Sequence, residues 1–439
     1  MDWLHKEIAA NWRREGKRYA ADVNEFVRIG IGSEWKQKQE EPEQDQRSSL
    51  AQSIVNMIRA ANKAGEVERL REEIPPASWP ITPAYENKTH AVKPIAFLQD
   101  GSFIVHTGGH GDIRKLYLIY QQTISEIPNL QQIGCSPDGN YFALVNKQGI
   151  RIMRGLNRYK IEGESETAVF SWEYIQNSIK KSVPEVESLA NLEHPETVLD
   201  EVIPFHDGKS LLLVSHYGIY LIENDEVQIL HPELSQLIED EIEDTTIDMA
   251  HGAVSPDGRW IAYGSQCSEH LLKDLSDGTV YEFAPESSYP HYALFSRDSG
   301  DVWYNACHFY NGMTIRVPIT EAMKQAPTAE TMECPLMNDE MRVYAGAALK
   351  KSHILGDAYG YLRCMDRDGQ EVWRYFVGST ISGITVSHDE ERLAVGTYGG
   401  MLHFIDLTTG CKSEYSIGTA AIVETERWIL WRNEEPLRW

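Results

Sequence analysis

Two histidines and an aspartate in one glycine-rich stretch carry side chains that can bind a transition metal. His106 and His110 flank Gly108 and Gly109, and Asp112 follows two residues later. Imidazole nitrogens and carboxylate oxygens are common zinc ligands, but closed zinc sites usually space their ligands more tightly. Glycines in such a stretch are also typical of a turn between two strands. The sequence therefore favours a structural hairpin, and we predict neither a metal site nor a cofactor.

Tyrosines that precede a glycine recur at equivalent positions of a repeat, and they are suited to protein recognition. Tyr217, Tyr359 and Tyr398 follow this pattern, and Tyr310 lies in the matching turn of another repeat. Large aromatic side chains dominate the energetics of many protein interfaces. We predict that these four tyrosines contact a partner. The alternative is that each Tyr-Gly pair is a repeat signature that packs its own hairpin.

Negative charge dominates the chain and indicates the kind of partner. The net charge is −25; residues 1–80 hold 13 basic and 14 acidic residues, so nearly all of the excess lies beyond them. Nucleic-acid binding needs basic clusters, so we predict no nucleic-acid partner. An acidic surface steers a basic protein toward it, although solubility alone also explains such a charge. The densest acidic stretch, which we include in the predicted partner site, contains Glu239, Asp240, Glu241, Glu243 and Asp244. These acids lack the spacing of an EF-hand, so a solvated loop is the alternative to calcium binding.

A short turn followed by two apolar strands occurs seven times and must position these side chains. Six copies carry an aspartate in the turn, and the sixth copy in chain order, near Lys350, has lost it. One such unit cannot bury its apolar face alone, so a period of several tens of residues indicates radial repetition. The sequence predicts an all-β, seven-bladed β-propeller. The turn aspartates are Asp100, Asp138, Asp207, Asp257, Asp298 and Asp389.

The N-terminal region differs from the repeats and is predicted to form an α-helical hairpin. Apolar residues recur there at helical spacing, the second helix is predicted to start near Ser48 or Ser49, and Pro75 with Pro76 ends it. We assign residues 1–78 to this helical segment and residues 82–439 to the propeller. The unusually long gap between the second and third turn aspartates predicts an insertion near residues 156–199.

The turn sequences resemble those of the bacterial WD40-like and TolB-like β-propellers. Residues 136–139 and 255–258 both read Ser-Pro-Asp-Gly, which is similar to the turn of that superfamily. The resemblance covers about residues 90–410 and is specific for the fold but indicates little about function; most such proteins resemble binding platforms. Residues 296–303 also fit the Asp-box of sialidases, but such boxes are structural turns, and we interpret this match as one more repeat turn.

Several sequence patterns that the chain lacks indicate where the protein is located and which class of enzyme is unsupported. No apolar run is long enough to cross a bilayer, and residues 1–7 show no secretory apolar region. Six scattered cysteines without a C-x-x-C pair are typical of buried reduced thiols, so we predict a cytoplasmic protein with no membrane association. No G-x-S-x-G motif occurs, which leaves a serine hydrolase unsupported.

Taken together, these features predict a non-enzymatic protein-binding propeller with no catalytic residue. The loops between the second and third strands of each repeat, and those between repeats, would form one acidic, aromatic face. One concrete version is an immunity or inhibitor-type protein that neutralises a basic partner. The alternative is a hydrolase or lyase acting on glycans, with its site in the central channel of the propeller.

Overall fold

The N-terminal region is helical, as its apolar periodicity predicts. The computed structural model of the chain describes residues 2–108, 114–158, 161, 165–192, 194–239, 245–324 and 333–439. Ser48 and Ser49 lie inside a 3₁₀-helix, Gln46–Leu50, whose N-cap is Asp45, so neither serine starts the second helix. Two further short helices follow the two predicted ones. The N-terminal helices are α1 (Lys6–Gly32), α2 (Ala51–Ala64), α3 (Val67–Glu73) and α4 (Ser78–Tyr85).

Seven antiparallel sheets follow, and together they make an all-β, seven-bladed β-propeller behind N-terminal helices, as predicted. In every sheet consecutive strands are hydrogen-bonded neighbours. Sheets 1 to 3 contain β1 (Val92–Phe97), β2 (Phe103–Thr107), β3 (Lys115–Tyr120) and β4 (Thr123–Glu126); β5 (Gln132–Cys135), β6 (Tyr141–Asn146), β7 (Gly149–Arg154) and β8 (Ser165–Ser171); and β9 (Leu199–Phe205), β10 (Ser210–Ser215), β11 (Ile219–Glu223) and β12 (Glu226–His231).

The remaining sheets repeat the pattern, and the last one gains a fifth strand. Sheets 4 and 5 contain β13 (His251–Val254), β14 (Trp260–Gly264), β15 (His270–Asp274) and β16 (Val280–Phe283); and β17 (Tyr289–Phe295), β18 (Asp301–His308), β19 (Asn311–Pro318) and β20 (Leu336–Asn338). Sheets 6 and 7 contain β21 (Val343–Ala348), β22 (Ser352–Asp357), β23 (Tyr361–Asp366) and β24 (Glu371–Phe376); and β25 (Ile381–Val386), β26 (Arg392–Thr397), β27 (Met401–Asp406), β28 (Val423–Ile429) and β29 (Leu437–Arg438).

Helices also lie in the connections between strands, and most of them are in the region where the sequence predicts an insertion. Between β8 and β9 lie α5 (Trp172–Ser182), a 3₁₀-helix (Glu187–Ala190) and α6 (Pro195–Val198). Ser171 caps α5, since its side chain accepts a hydrogen bond from the backbone N–H of Tyr174. Two shorter helices are α7 (Leu234–Glu239) and α8 (Ile319–Ala322).

The predicted aspartate turns connect the first and second strands of their sheets. In sheet 4 the Ser255 hydroxyl donates to the Asp257 carboxylate at 2.5 Å and accepts from the backbone N–H of Trp260 at 2.9 Å. The same carboxylate accepts from the backbone N–H of Arg259 at 3.1 Å. These bonds satisfy backbone groups that the tight turn would otherwise leave unpaired. In sheet 6, which lacks the aspartate, the turn closes through the backbone, from Leu349 N–H to the Ser352 carbonyl.

The chain divides into two units. The first comprises residues 1–94, 354–365 and 371–439, and the second comprises residues 95–353 and 366–370. In the first unit, α1 and α2 bury one face against Met401 and Ile429 of the last sheet and against Trp431, which follows β28. In the second unit, α5 packs on sheets 2 and 3 through Trp172, Ile175 and Ile179. The division predicted from the sequence, at residues 78–82, stays a prediction.

Candidate functional site

Two of the predicted tyrosines lie in the first unit, on hairpins that link the second and third strands of their sheets. Tyr359 follows β22 and Tyr398 follows β26. Their side chains are 50% and 51% exposed, respectively. The glycine that follows each tyrosine leaves room for Ser379. A Cβ on Gly360 would lie 2.7 Å from the Ser379 carbonyl oxygen, and one on Gly399 would lie 2.9 Å from the Ser379 hydroxyl.

The segment that joins β24 to β25, residues 377–380, fixes these two hairpins. Val377 N–H donates to the Gly360 carbonyl at 2.8 Å, and the Thr380 hydroxyl donates to the Ala358 carbonyl at 2.7 Å. On the other side, Gly399 N–H donates to the Ser379 hydroxyl at 3.1 Å. The two Tyr-Gly turns are therefore bonded to one connector. We call Tyr359, Tyr398 and residues 377–380 the hairpin surface.

The other two predicted tyrosines lie in the second unit. Tyr310 is 67% exposed and its neighbour Phe309 is 73% exposed, in the hairpin between β18 and β19. The Phe309 carbonyl accepts a hydrogen bond from Arg342 at 2.8 Å, which anchors this turn. Tyr217 lies between β10 and β11 and is half-buried. Exposure thus differs among the four, and Tyr217 presents the least surface.

The predicted acidic stretch is described only at its start. Glu239 is exposed at the last residue of α7. Asp240, Glu241, Glu243 and Asp244 lie outside the described residues. The suggested metal ligands His110 and Asp112 do so as well, while His106 is buried in β2. Among the residues that the structure describes, no group of three His, Cys, Asp or Glu side chains is placed to hold a metal ion.

A cavity of about 330 Å³ lies within the first unit, and Val377 and Gly378 of the hairpin surface are among its lining residues. No sequence pattern predicted it. Trp79 of α4 lines it, and the Trp79 backbone nitrogen lies 3.2 Å from where a Cβ on Gly378 of the connector would sit. The walls are rich in aromatic rings and prolines. They include Tyr19, Pro75, Pro76, Trp79, Pro80, Tyr375, Phe376 and Tyr415.

A buried ion-pair network forms one side of this cavity. Glu424 of β28 pairs with Arg427 through both carboxylate oxygens, at 2.9 and 2.8 Å, and accepts from His403 Nδ1 at 2.9 Å. Burial raises the pKa of Glu424, but the charge of Arg427 and the His403 hydrogen bond outweigh burial, so the pKa lies well below its ordinary value. Burial and the neighbouring Arg427 lower the pKa of His403. The neutral ring donates from Nδ1 to the carboxylate.

A second ion pair, between Asp45 and Arg47, also lines the cavity. Asp45 accepts from Arg47 Nε at 3.0 Å and from Nη2 at 2.7 Å, and both side chains are almost fully buried. The Arg47 guanidinium lies over the Trp12 ring, 4.9 Å from its centroid. Such a bidentate, stacked pair is geometrically rigid.

No local sequence pattern predicts this cavity. Arg47, Arg71 and Glu424 come from three distant segments, and each alone reads as an ordinary surface charge. The clearest signal is the pair Pro75 and Pro76, which by itself predicts only the end of a helix. A Pro-Pro-Ala-Ser-Trp-Pro run, residues 75–80, is unusually apolar and rigid for a linker.

Comparison with known proteins identifies no family for this chain. No family model matches the chain, and no curated protein sequence matches it. Among solved structures, the chain is similar to Hsv2 from Kluyvelomyces marxianus, with 11% sequence identity and a TM-score of 0.41. The match covers 77% of this chain and 98% of that one. At this level of similarity, no functional property of Hsv2 carries over.

Proposed function

We propose that this chain is a non-enzymatic, protein-binding propeller of the WD40-like or TolB-like kind. The observation that carries the proposal is the hairpin surface, where two half-exposed tyrosines stand on neighbouring turns held by one connector. Tyrosine side chains have few rotatable bonds and lose little conformational entropy on binding, so they are effective anchors for a partner. Phe309 and Tyr310 form a second exposed aromatic pair in the second unit.

We propose further that the partner is a basic protein. The chain has a net charge of −25, and Glu239 is an exposed acid at the start of its densest acidic stretch. Opposite charge speeds association and discriminates against acidic competitors. Occlusion of a basic protein, as by an immunity or inhibitor-type protein, is the concrete version of this function. Nucleic acids and membranes are not proposed as partners.

A cytoplasmic location fits this function. None of the six cysteines, all of which the structure describes, forms a disulfide, which suits a reducing compartment. Only Cys307 and Cys364 are buried, while Cys267 and Cys411 are exposed, so the prediction of buried thiols is wrong for those two. In the part of the chain that the structure describes, no helix is both long and apolar enough to span a bilayer.

The test is a triple substitution, Tyr217→Ala with Tyr359→Ala and Tyr398→Ala. We expect it to weaken partner binding at least tenfold, since hot-spot tyrosines often contribute about 2 kcal/mol each. The melting temperature should stay nearly unchanged, because Tyr359 and Tyr398 are half-exposed. Partners are captured from native lysate at low and high salt, identified, and their affinity is measured with purified proteins.

Val372→Ala is the matched control, since Val372 is an exposed apolar residue of β24 outside the hairpins. It should leave the affinity unchanged. A large loss of thermal stability in the triple variant would show instead that the tyrosines pack their own hairpins. Turnover of a glycan panel by the purified chain would favour the hydrolase or lyase alternative over the binding function.

A further inference from the structure

Trp79 is a third exposed aromatic residue beside the hairpin surface. It lies in α4 and is 60% exposed. Its backbone nitrogen lies 3.2 Å from where a Cβ on Gly378 would sit, so the start of α4 packs against the connector 377–380. The turns of Tyr359 and Tyr398 are bonded to the same connector. Three exposed aromatic residues therefore adjoin one short segment, and tryptophan is among the residue types most enriched at interface hot spots.

The cavity of the first unit adjoins the same segment. Trp79 lines the cavity and is also exposed, so it lies at the rim, and Val377 and Gly378 of the connector line the cavity as well. Interface hot spots have this arrangement, in which an anchor side chain of one protein fills a desolvated pocket of the other. The volume of about 330 Å³ lies at the lower end of the range of roughly 300–1,000 Å³ found for ligand pockets, so it suits a single ring system.

The buried and half-buried charges that line the cavity are already paired within the protein. Arg47 donates to Asp45, and Arg427 donates to Glu424, in each case through two nitrogens. Arg71 donates to the main-chain oxygen of Glu424 at 2.8 Å. A charged occupant would lose its hydration and meet only ion pairs that are already made, so the cavity favours an uncharged group.

The remaining walls favour an aromatic group. Tyr375, Phe376 and Tyr415 line the cavity together with Pro75 and Pro76. Aromatic rings gain from stacked or edge-to-face contacts with other rings, beyond the gain from burial alone. The side chain of a tryptophan, tyrosine or phenylalanine therefore matches the cavity in charge, size and wall chemistry.

We propose that this cavity receives an aromatic side chain of the protein partner, and that Trp79 is a further partner-binding residue at its rim. The inference rests on the proposed function, because the occupant belongs to the partner that binds the hairpin surface. The connector 377–380 holds the two tyrosine turns and also forms a wall of the cavity, so a segment bound across this surface lies next to the cavity. The partner segment combines an uncharged aromatic anchor with basic flanks, which match the net charge of −25.

Isothermal titration calorimetry of the full chain with blocked peptides tests the proposal. The probe is acetyl-Gly-Arg-Arg-Trp-Arg-Arg-Gly-amide, which should bind in a one-to-one ratio with a Kd below about 1 mM. The same peptide with alanine in place of tryptophan should bind at least tenfold more weakly. Free indole should compete with the tryptophan peptide, whereas indole-3-acetate and tryptamine should compete at least tenfold less well. Because one of these is an anion and the other a cation, the net charge of the chain cannot explain both results.

Two variants and a control locate the anchor. Val423→Trp enlarges a half-buried residue that lines the cavity at the start of β28, where a strand accepts an aromatic side chain. Trp79→Ala removes the ring at the rim. Each should weaken binding of the tryptophan peptide at least tenfold without weakening binding of the alanine peptide. Trp35→Ala is the matched control, because Trp35 is 55% exposed in the same unit but does not line the cavity, and it should leave both affinities unchanged.

The proposal is overturned if the tryptophan and alanine peptides bind equally, or if either folded variant binds the tryptophan peptide like the unaltered chain. It is also overturned if indole binds and the tryptophan peptide does not, since the cavity would then hold a free small molecule. Circular dichroism and melting temperature establish folding, and Trp79→Ala decides the outcome if Val423→Trp does not fold. Failure of the proposed basic partner is distinct: a tryptophan peptide with glutamate in place of arginine would then bind equally well, with the aromatic anchor retained.

Discussion

Trp439 is the residue that ties the last strand to the N-terminal helices. It is fully buried, its indole N–H donates to the Ile74 carbonyl at 2.8 Å, and its ring lies 6.2 Å from that of Trp12. Its backbone exchanges hydrogen bonds with Arg427, 3.0 and 2.7 Å in length. Trp439 therefore contributes buried apolar surface, a hydrogen-bonded indole N–H and the backbone hydrogen bonds at the end of the last sheet.

Replacing Trp439 by alanine should destabilise the protein by about 3–5 kcal/mol, which is the usual cost of a buried large-to-small change. The change also leaves the Ile74 carbonyl without its donor. Urea unfolding followed by circular dichroism measures the free energy of unfolding. Trp79→Ala, at an exposed tryptophan, should cost under about 1 kcal/mol. Equal losses for the two variants would contradict this account of Trp439.

At the residue scale, the sequence predicts best where one residue determines a local turn. Asp138 and Asp257 each accept hydrogen bonds inside their own turn, so a Ser-Pro-Asp-Gly motif marks the turn without reference to the rest of the chain. The ion pair of Arg427 with Glu424 is local as well, but its burial depends on helices that lie hundreds of residues away. The sequence gives no sign of that burial.

At the scale of elements, the first strands of neighbouring sheets approach one another closely. A Cβ on Gly134 of β5 would lie 1.6 Å from the Val202 carbonyl oxygen of β9. Real Cβ atoms do not reach such a distance from backbone oxygen, so these two strands can pack this closely only with glycine at that position.

Gly134→Ala should therefore cost more than about 2 kcal/mol, since β5 or β9 must shift to admit a methyl group. Gly32→Ala is the control, because a Cβ there meets no atom within 4 Å. That change, at the last residue of α1, should be neutral or slightly stabilising. Differential scanning calorimetry compares the two. A neutral Gly134→Ala would mean that the approach of β5 to β9 is looser than described.

Elements differ in how far the sequence predicts them. The repeat of turn, strand and hairpin identified the second strand of each sheet and the third strand of six sheets, including both in sheet 6, because alternation and turn residues are local signals. The third strand of sheet 4, β15, was not predicted. The helices α3 and α4 were not predicted as separate elements, since they are short and Pro75 and Pro76 read as an end. The cavity was not predicted because its lining is assembled from non-local segments.

At the scale of the whole molecule, buried histidines determine how stability depends on pH. His231, His251, His270 and His291 are all held in the second unit by β12, β13, β15 and β17. Burial lowers the pKa of His251 to about 3 and the pKa values of His231 and His291 to about 4. Burial also lowers the pKa of His270 well below its ordinary value.

Because these histidines are neutral when folded, unfolding takes up protons below their unfolded pKa of about 6.5. Their stabilising effect is complete above that pH and is lost as the pH falls toward 4. Each contributes up to about 1.4 kcal/mol per pH unit in that window. Urea midpoints measured from pH 7.5 to 4.5 should therefore fall steadily, beginning well above the range in which Asp274 and Asp298, with pKa values near 2, become protonated.

His270→Phe is the matched test of this pH dependence. Phenylalanine can keep the stack on Tyr304, where the ring centroids lie 4.5 Å apart, but it cannot take up a proton. The variant should lose stability less steeply between pH 6.5 and 4.5. His5→Phe, at an exposed histidine, should leave the slope unchanged. A pH profile that is flat in the unaltered chain would show that these histidines do not remain neutral.

The first unit joins residues 1–94 to residues 371–439, and this arrangement has a consequence for synthesis on the ribosome. The amphipathic helices are translated long before Met401, Ile429, Trp431 and Trp439, which cover their apolar stripes. At about 5–20 residues per second, the gap lasts on the order of 15–60 s. During that time the nascent helices present uncovered apolar faces, and a chaperone such as a ribosome-associated holdase would find its substrate there.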